Sequence, residues 1–293
     1  MAGSSEPCVF RFAPSPNGEM HLGHALSALI GYARAQACGG RFLVRIEDID
    51  AGRSRPRFVA QIFADLAWLG IAWEEPVVLQ SQRIPAYRAA AQRLEAMGLL
   101  YPCFATRAEI EAAAVGGPVD PDGAPVYPGL LRRRDPAEVA RRRAAGEPFA
   151  LRIDMEGAIA AAAAKLAGTP LVFTELGEDG AARVVEASPE RWGDAVIVRK
   201  DVPTSYHLAV VVDDAWQGVT HVTRGRDLYE ATGLHRLLQV LLDLPAPLYH
   251  HHGLITDAAG RKLAKSARDT SLRSLRESGC TPTDIRRMVG LGR

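Results

Sequence analysis

The sequence is poor in several features that would place it quickly. It has four cysteines in 293 residues, at positions 8, 38, 103 and 280, and no two form a CxxC pair. That excludes a disulfide framework and points to a reducing cytoplasm. No apolar run approaches the ~18 residues that a membrane span needs. The opening MAGSSEPCVF lacks a basic stretch followed by an apolar one, so it does not read as a signal peptide. Net charge is nearly absent, at +1. Bulk attraction to nucleic acid is thereby excluded, and any RNA contact must use a local basic patch. No internal repeat is visible. What the chain does have is 47% hydrophobic residues over a length that suits one large domain or two small ones, so a sizeable core is expected and disorder is not.

Strand and helix patterns alternate at the start. Residues 8–12 read as a short strand. A helical pattern follows to about residue 38, where Gly39-Gly40 ends it. RFLVRIEDID, residues 41–50, reads as a buried strand ending in carboxylates, and residues 57–69 and 85–97 are amphipathic helices. This order implies a parallel α/β sheet with right-handed crossovers, whose ligands bind beyond the carboxyl ends of the strands. Composition shifts between about 101 and 192, which is rich in Ala, Gly, Pro and Arg and reads as an inserted subdomain. The spacing places β pieces near PFALRID and TPLVFTEL, with a featureless helix in AIAAAAAKLAG. The α/β pattern resumes at DAVIVRKD, residues 194–201. Strands are expected over 206–212 and 219–223, and a helix over 228–242. The regions are therefore 8–100 and 193–248 as two halves of one α/β domain, 101–192 between them, and 249–293 as a loop region with a short tail.

The stretch FRFAPSPNGEMHLGH sets His21 and His24 three residues apart where a loop becomes a helix. Pro14 and Pro16 keep the preceding chain out of a helix, and Asn17-Gly18 marks a turn. Both rings then project from the first helical turn, beside unpaired backbone N–H groups and the positive end of the dipole, which suits a phosphate. An ordinary helix start with two polar residues fits the same spacing. A second motif, KLAKS at 262–266, follows the turn at 257–260 and suits a cationic loop over phosphates, although such loops are commonly just solvated.

The two motifs together resemble the HIGH and KMSKS signatures of class I aminoacyl-tRNA synthetases. RFAPSPNGEMHLGH, LVRIEDID, YHLAVVVDDAWQGVTHVTRGRDL and GRKLAKS, in that order, resemble the glutamyl branch. The likeness covers residues 10–266. Only 27 residues follow, where glutamyl-tRNA synthetases carry an anticodon-binding domain, and so short a tail falls below the ~40 residues that usually fold alone. The chain thus resembles the truncated paralogues, the glutamyl-queuosine tRNA(Asp) synthetases. The resemblance implies a Rossmann-type catalytic domain with an inserted subdomain and no anticodon-binding domain. It implies ATP-dependent activation of L-glutamate without tRNA, with Mg²⁺, and transfer to the queuosine diol of tRNA(Asp). A cytoplasmic monomer with no membrane association is expected. The alternatives are a truncated synthetase charging tRNA(Glu), a silent RNA- or adenylate-binding paralogue, and a small-molecule adenylating ligase.

The resemblance also assigns residues. Arg11 and Arg224 match the family's carboxylate-binding arginines, whose paired N–H donors fit carboxylates. Glu47 matches the ammonium partner. Tyr206 and the segment Phe12, Ala13, Pro14 and Ser15 line the amino-acid site. His21, His24, Lys262 and Lys265 are the catalytic set. ATP is held by His21, His24, Lys265 and, through its ribose, Asp227. KLAKS has Ala264 where the family usually has Ser. Family zinc ligands fall at Cys103, Ala105, Tyr127 and Leu131, two of which cannot coordinate, so no zinc is expected there. His250, His251 and His252 alternate faces if they form a strand, so they cannot all serve one ion. The triplets Arg132–Arg134 and Arg141–Arg143 flank a helix start at Asp135-Pro136. They read either as a solvated face or as contacts to tRNA phosphates.

Overall fold

The structure, a computed structural model, describes residues 7–130, 132, 135–253, 255 and 270–292. KLAKS, with Lys262, Ala264 and Lys265, lies outside the described residues.

The chain opens as β1 (Val9–Phe12), α1 (Leu22–Ala37), β2 (Arg41–Ile46), α2 (Pro56–Trp68), β3 (Glu74–Leu79) and α3 (Ile84–Ala96). Then come β4 (Leu100–Cys103), α4 (Arg107–Ala113), α5 (Pro136–Ala144), β5 (Ala150–Ile153), α6 (Met155–Lys165), β6 (Val172–Leu176), β7 (Ala182–Glu186) and β8 (Val196–Val198). The last part holds α7 (Tyr206–Trp216), β9 (His221–Gly225), α8 (Ala231–Leu241), β10 (Leu248–His252), α9 (Leu272–Glu277) and α10 (Pro282–Met288).

Among the described residues, seven strands form the main sheet in the order β3-β2-β1-β9-β10-β6-β7. The first six run parallel and β7 returns antiparallel to β6. Every residue of VFRF in β1 is buried, as expected of an interior parallel strand covered on both faces. The chain leaves β1 for β2 on one side, while β9 pairs on the other, so a crevice opens at the β1/β9 switch point. Beneath it, Phe10, Phe12, Leu29, Val44, Ile46 and Leu66 form a core that also takes Leu272 and Ile285 from α9 and α10. Cys8 and Cys38, at opposite ends of the β1–α1 unit, share a thiol hydrogen bond that raises the Cys8 pKa, and all four thiols are free. No helix among the described residues is long and apolar enough to cross a membrane.

Two elements differ from the sequence reading. The expected strand over 206–212 is the first part of α7. Its run LAVVV is apolar on all sides, a pattern shared by a buried strand and a helix buried all round. Ser205 decides the outcome locally by accepting the N–H of Leu208 as N-cap, and six residues of the helix are buried. The expected insertion is also divided. β4, β5 and β8 make a separate three-stranded antiparallel sheet reaching Val198, past the expected boundary at 192. Residues 172–186 instead join the main sheet through β6 and β10.

Candidate active site

The parallel strands deliver their chemistry at their carboxyl ends. Phe12 closes β1, and Ala13, Pro14 and Ser15 carry the chain over the sheet edge, where the Pro14 carbonyl accepts the Glu47 N–H at 3.0 Å. Glu47 follows β2, Arg224 lies near the end of β9, Asp227 sits in the short turn after it, and His252 ends β10.

His21 is the N-cap of α1 and His24 its third residue. The His21 Nδ1 accepts the Gly23 N–H at 3.1 Å, and the His24 Nδ1 accepts the His21 N–H at 3.2 Å. The rings stand 3.9 Å apart. This changes the sequence expectation. Two of the N–H groups thought to await phosphate are taken by the histidines themselves. With both Nδ1 atoms accepting, each ring carries its proton on Nε2 and presents a neutral donor. Burial, then the neighbouring His21, lowers the His24 pKa to about 4, so its donor form persists at neutral pH. Asp227 is exposed, and its charge opposes that shift. His252 Nε2 lies 2.7 Å from Ser27 Oγ on α1.

A second cluster is buried and charged. The Asp214 Oδ1 atom, on α7, accepts from Arg11 Nε at 3.1 Å and Arg45 NH1 at 2.7 Å. Arg45 also reaches Glu47 Oε1 at 3.4 Å. Burial would raise the Asp214 pKa, but Arg11 and Arg45 hold it below its ordinary value. Glu47 behaves differently: burial outweighs its arginines and raises its pKa. Arg224 donates NH1 to the Tyr206 hydroxyl at 3.4 Å, Nε to His251 Nε2 at 3.1 Å and NH2 to Thr232 Oγ1 at 2.7 Å. Burial raises the Tyr206 pKa, with the charges of Arg224, Glu47, Arg11 and Asp214 all felt at its hydroxyl. Arg11, Glu47, Tyr206 and Arg224, which the family resemblance groups together, thus form one electrostatic unit.

Sequence reasoning missed Arg45, Asp214, His251 and Thr232 as parts of this network, together with Asp213, 3.9 Å from Arg45, Glu175, 2.8 Å from His251, and His235, 3.3 Å from Arg224. One signal was present: two adjacent aspartates ending the apolar run VVVDD, since buried acids are rare unless paired. Three adjacent histidines in β10 serve different partners: Leu176 O and Arg34 for His250, Glu175 and Arg224 for His251, and Ser27 for His252.

The stretch onto which the family's zinc ligands fall is packed as a small core. Cys103, Phe104 and Tyr127 are buried together, and the Lys200 ammonium donates to the Phe104 and Ala105 carbonyls at 2.9 and 3.0 Å. Among the described residues no group of three His, Cys, Asp or Glu side chains could hold a metal. A fixed ammonium on this turn disfavours a second cation. Elemental analysis of purified protein is expected to give well under one zinc per chain, with the fold unchanged by chelator; one tightly held zinc would contradict this. Of the flanking arginines, Arg132 is paired with Asp194, Arg142 with Glu147 and Arg143 with Glu95. Arg133 and Arg134 lie outside the described residues.

The family "tRNA synthetases class I (E and Q), catalytic domain" matches residues 7–292. The glutamyl-Q tRNA(Asp) synthetase of Rhodobacter capsulatus is 49% identical over 291 residues, covering 97% of this chain and 100% of that protein. That of Symbiobacterium thermophilum is 40% identical, covering 94% and 83%. Among solved structures, the glutamate-tRNA synthetase of Elizabethkingia anophelis superposes with a TM-score of 0.77 at 25% identity, covering 98% of this chain but 61% of that one. Strand order, the paired histidines at the switch point and these likenesses agree, and the chain belongs to the glutamyl-Q tRNA(Asp) synthetase family of class I catalytic domains.

Proposed function

We propose that the chain activates L-glutamate with ATP, without tRNA, and transfers the glutamyl group to the cyclopentene-diol of queuosine at the wobble position of tRNA(Asp). The observation that carries this reading is the set Arg11, Glu47, Tyr206 and Arg224, in which the charges of Arg11, Glu47 and Arg224 all act at the Tyr206 hydroxyl. Two guanidiniums and one carboxylate complement a molecule with two carboxylates and one ammonium. The names of the close relatives support the acceptor, and support it more strongly than the geometry does.

In the first step a glutamate carboxylate oxygen attacks the α-phosphorus, and the bond to the β-phosphate oxygen breaks, releasing pyrophosphate. Positioning and charge stabilisation dominate such a transfer. The Nε2–H groups of His21 and His24 would donate to phosphate oxygens as charge builds there. Lys262 and Lys265 would neutralise the leaving pyrophosphate, and Asp227 would hold the ribose. No residue cluster among those described offers Mg²⁺ a cage, so the ion would travel on the nucleotide phosphates. In the second step a diol hydroxyl attacks the acyl carbon, AMP leaves, and the hydroxyl proton passes to its phosphate.

Glutamate-dependent ATP–pyrophosphate exchange is expected without tRNA, with glutamine and aspartate poor substitutes. A carboxamide leaves one guanidinium under-paired, which costs a few kcal/mol. Label from glutamate should then enter tRNA(Asp) only when queuosine is present and should map to the anticodon fragment. Equal exchange with glutamine would refute the amino-acid assignment. Label on the 3′ end of tRNA(Glu) would refute the acceptor.

A further inference from the structure

Arg224 is 5% exposed, yet its direct hydrogen-bond partners are neutral: Tyr206, Thr232, His235 and His251. The carboxylate answering this charge stands one imidazole away. Glu175 on β6 is itself buried and uses both oxygens on one residue. Its Oε1 accepts the His251 backbone N–H at 3.0 Å, and its Oε2 accepts the His251 Nδ1–H at 2.8 Å. The imidazole proton is thereby fixed on Nδ1, leaving the Nε2 lone pair to accept Arg224 Nε–H at 3.1 Å. Thr232 Oγ1 takes the NH2 group at 2.7 Å. Two short bonds therefore pin the Nε and NH2 side of the guanidinium, while NH1, toward Tyr206 and His235, is held only at 3.3–3.4 Å.

We propose that Glu175 and His251 are positioning residues that aim the NH1 side of Arg224 at a carboxylate of bound glutamate. The relay leaves the Arg224 charge unpaired by direct contact, and so available to an anionic ligand, while fixing its orientation. It also gives the stretch read as an insertion a part in the amino-acid site, because β6 supplies the acid. The inference rests on the reading that Arg224 binds glutamate.

Glu175→Gln is a sharp test because it is isosteric. One amide oxygen cannot replace two carboxylate oxygens. If it accepts the His251 backbone N–H, its NH₂ faces Nδ1 and drives the ring proton to Nε2. Two N–H groups then oppose each other at Arg224, and the guanidinium must turn away. Misplacement of such a group is expected to raise the glutamate KM in pyrophosphate exchange by about 10- to 100-fold, with the ATP KM unchanged. His251→Leu should act in the same direction. His251→Gln retains one donor and one acceptor and should restore much of the affinity. A histidine Nδ1–H resonance bonded to a carboxylate should be visible by ¹⁵N NMR in the unaltered protein and be lost in Glu175→Gln. An unchanged glutamate KM in both Glu175→Gln and His251→Leu would overturn the proposal. So would equal rises in both KM values accompanied by a fall in Tm, which would mark a purely structural role. If the unaltered protein shows no glutamate-dependent exchange, the underlying reading fails and takes this one with it, a result distinguishable because it needs no variant.

Discussion

Asp214→Asn is expected to destabilise the protein by about 3–5 kcal/mol in chemical denaturation, whereas Glu74→Gln at an exposed ion pair is expected to cost less than about 1 kcal/mol. Bond length alone gives the opposite ranking. Arg41 grips Glu74 with two bonds of 2.7 and 2.6 Å, while Asp214 accepts from Arg11 at 3.1 Å and Arg45 at 2.7 Å. Burial decides. The Arg41 and Glu74 side chains are each 45% exposed, so water and salt screen the pair and replace it when it breaks. The side chains of Arg11, Arg45 and Asp214 are 5%, 0% and 8% exposed. The amide keeps an oxygen where Oδ1 was, so shape is preserved and only the charge is lost. Two buried guanidiniums would then share the carboxylate of Glu47, with Asp213 next nearest at 3.9 Å from Arg45. Glutamate-dependent exchange should fall as well, since Arg11 and Glu47 both depend on this cluster. Equal stability losses at the two sites would show that the buried charges do not need one another.

The sequence located the site better than it explained it. Strand–helix alternation placed the segments after Phe12 and Ile46 beyond the carboxyl ends of a parallel sheet, whereas the grouping of Arg11, Glu47, Tyr206 and Arg224 came from the family resemblance alone. The supporting network had no comparable signal. Arg45 meets Asp214 across 169 positions, and Glu175 meets His251 across 76. Nothing local to either residue announces the partner. β6 was misassigned for the same reason. Its buried residues are Phe173 and Glu175, and nothing in VFTEL announces that His251 on β10 pairs with the acid. α7 was misread because a run buried on every side carries no periodicity from which to choose.

Acid is expected to unfold the protein early, with Tm falling steeply as pH drops from about 6.5 toward 5, well above the range where carboxylates titrate. Six of the eight histidines have pKa values lowered chiefly by burial: His24, His207, His221, His235, His251 and His252. For His24, His207 and His251 the value is about 4. The unfolded chain takes up these protons near pH 6.5 and the folded chain only near 4. Between those limits the unfolded state binds more protons, so stability falls as pH falls, and the loss is complete below about 4. At pH 5 a group shifted this far costs about 2 kcal/mol, and less where, as with His24 and His207, the ring is partly exposed. Three such groups together cost about 3–6 kcal/mol, a large share of the 5–15 kcal/mol typical of a domain. The hydrogen bonds give the reason native protonation is resisted. His235 Nδ1 lies 3.3 Å from Arg224 NH1 and must accept there, so its proton is on Nε2, aimed at His207 Nδ1 at 3.1 Å. A proton added to either accepting nitrogen would set N–H against N–H. Asp214, whose pKa is lowered, adds stability that is lost only below the ordinary carboxylate range, and Glu47, whose pKa burial raises, gains stability as pH falls and so opposes the histidines. Thermal melts from pH 7.5 to 5 test this directly, and a Tm unchanged across that interval would mean that these rings protonate in the folded protein without disturbing it.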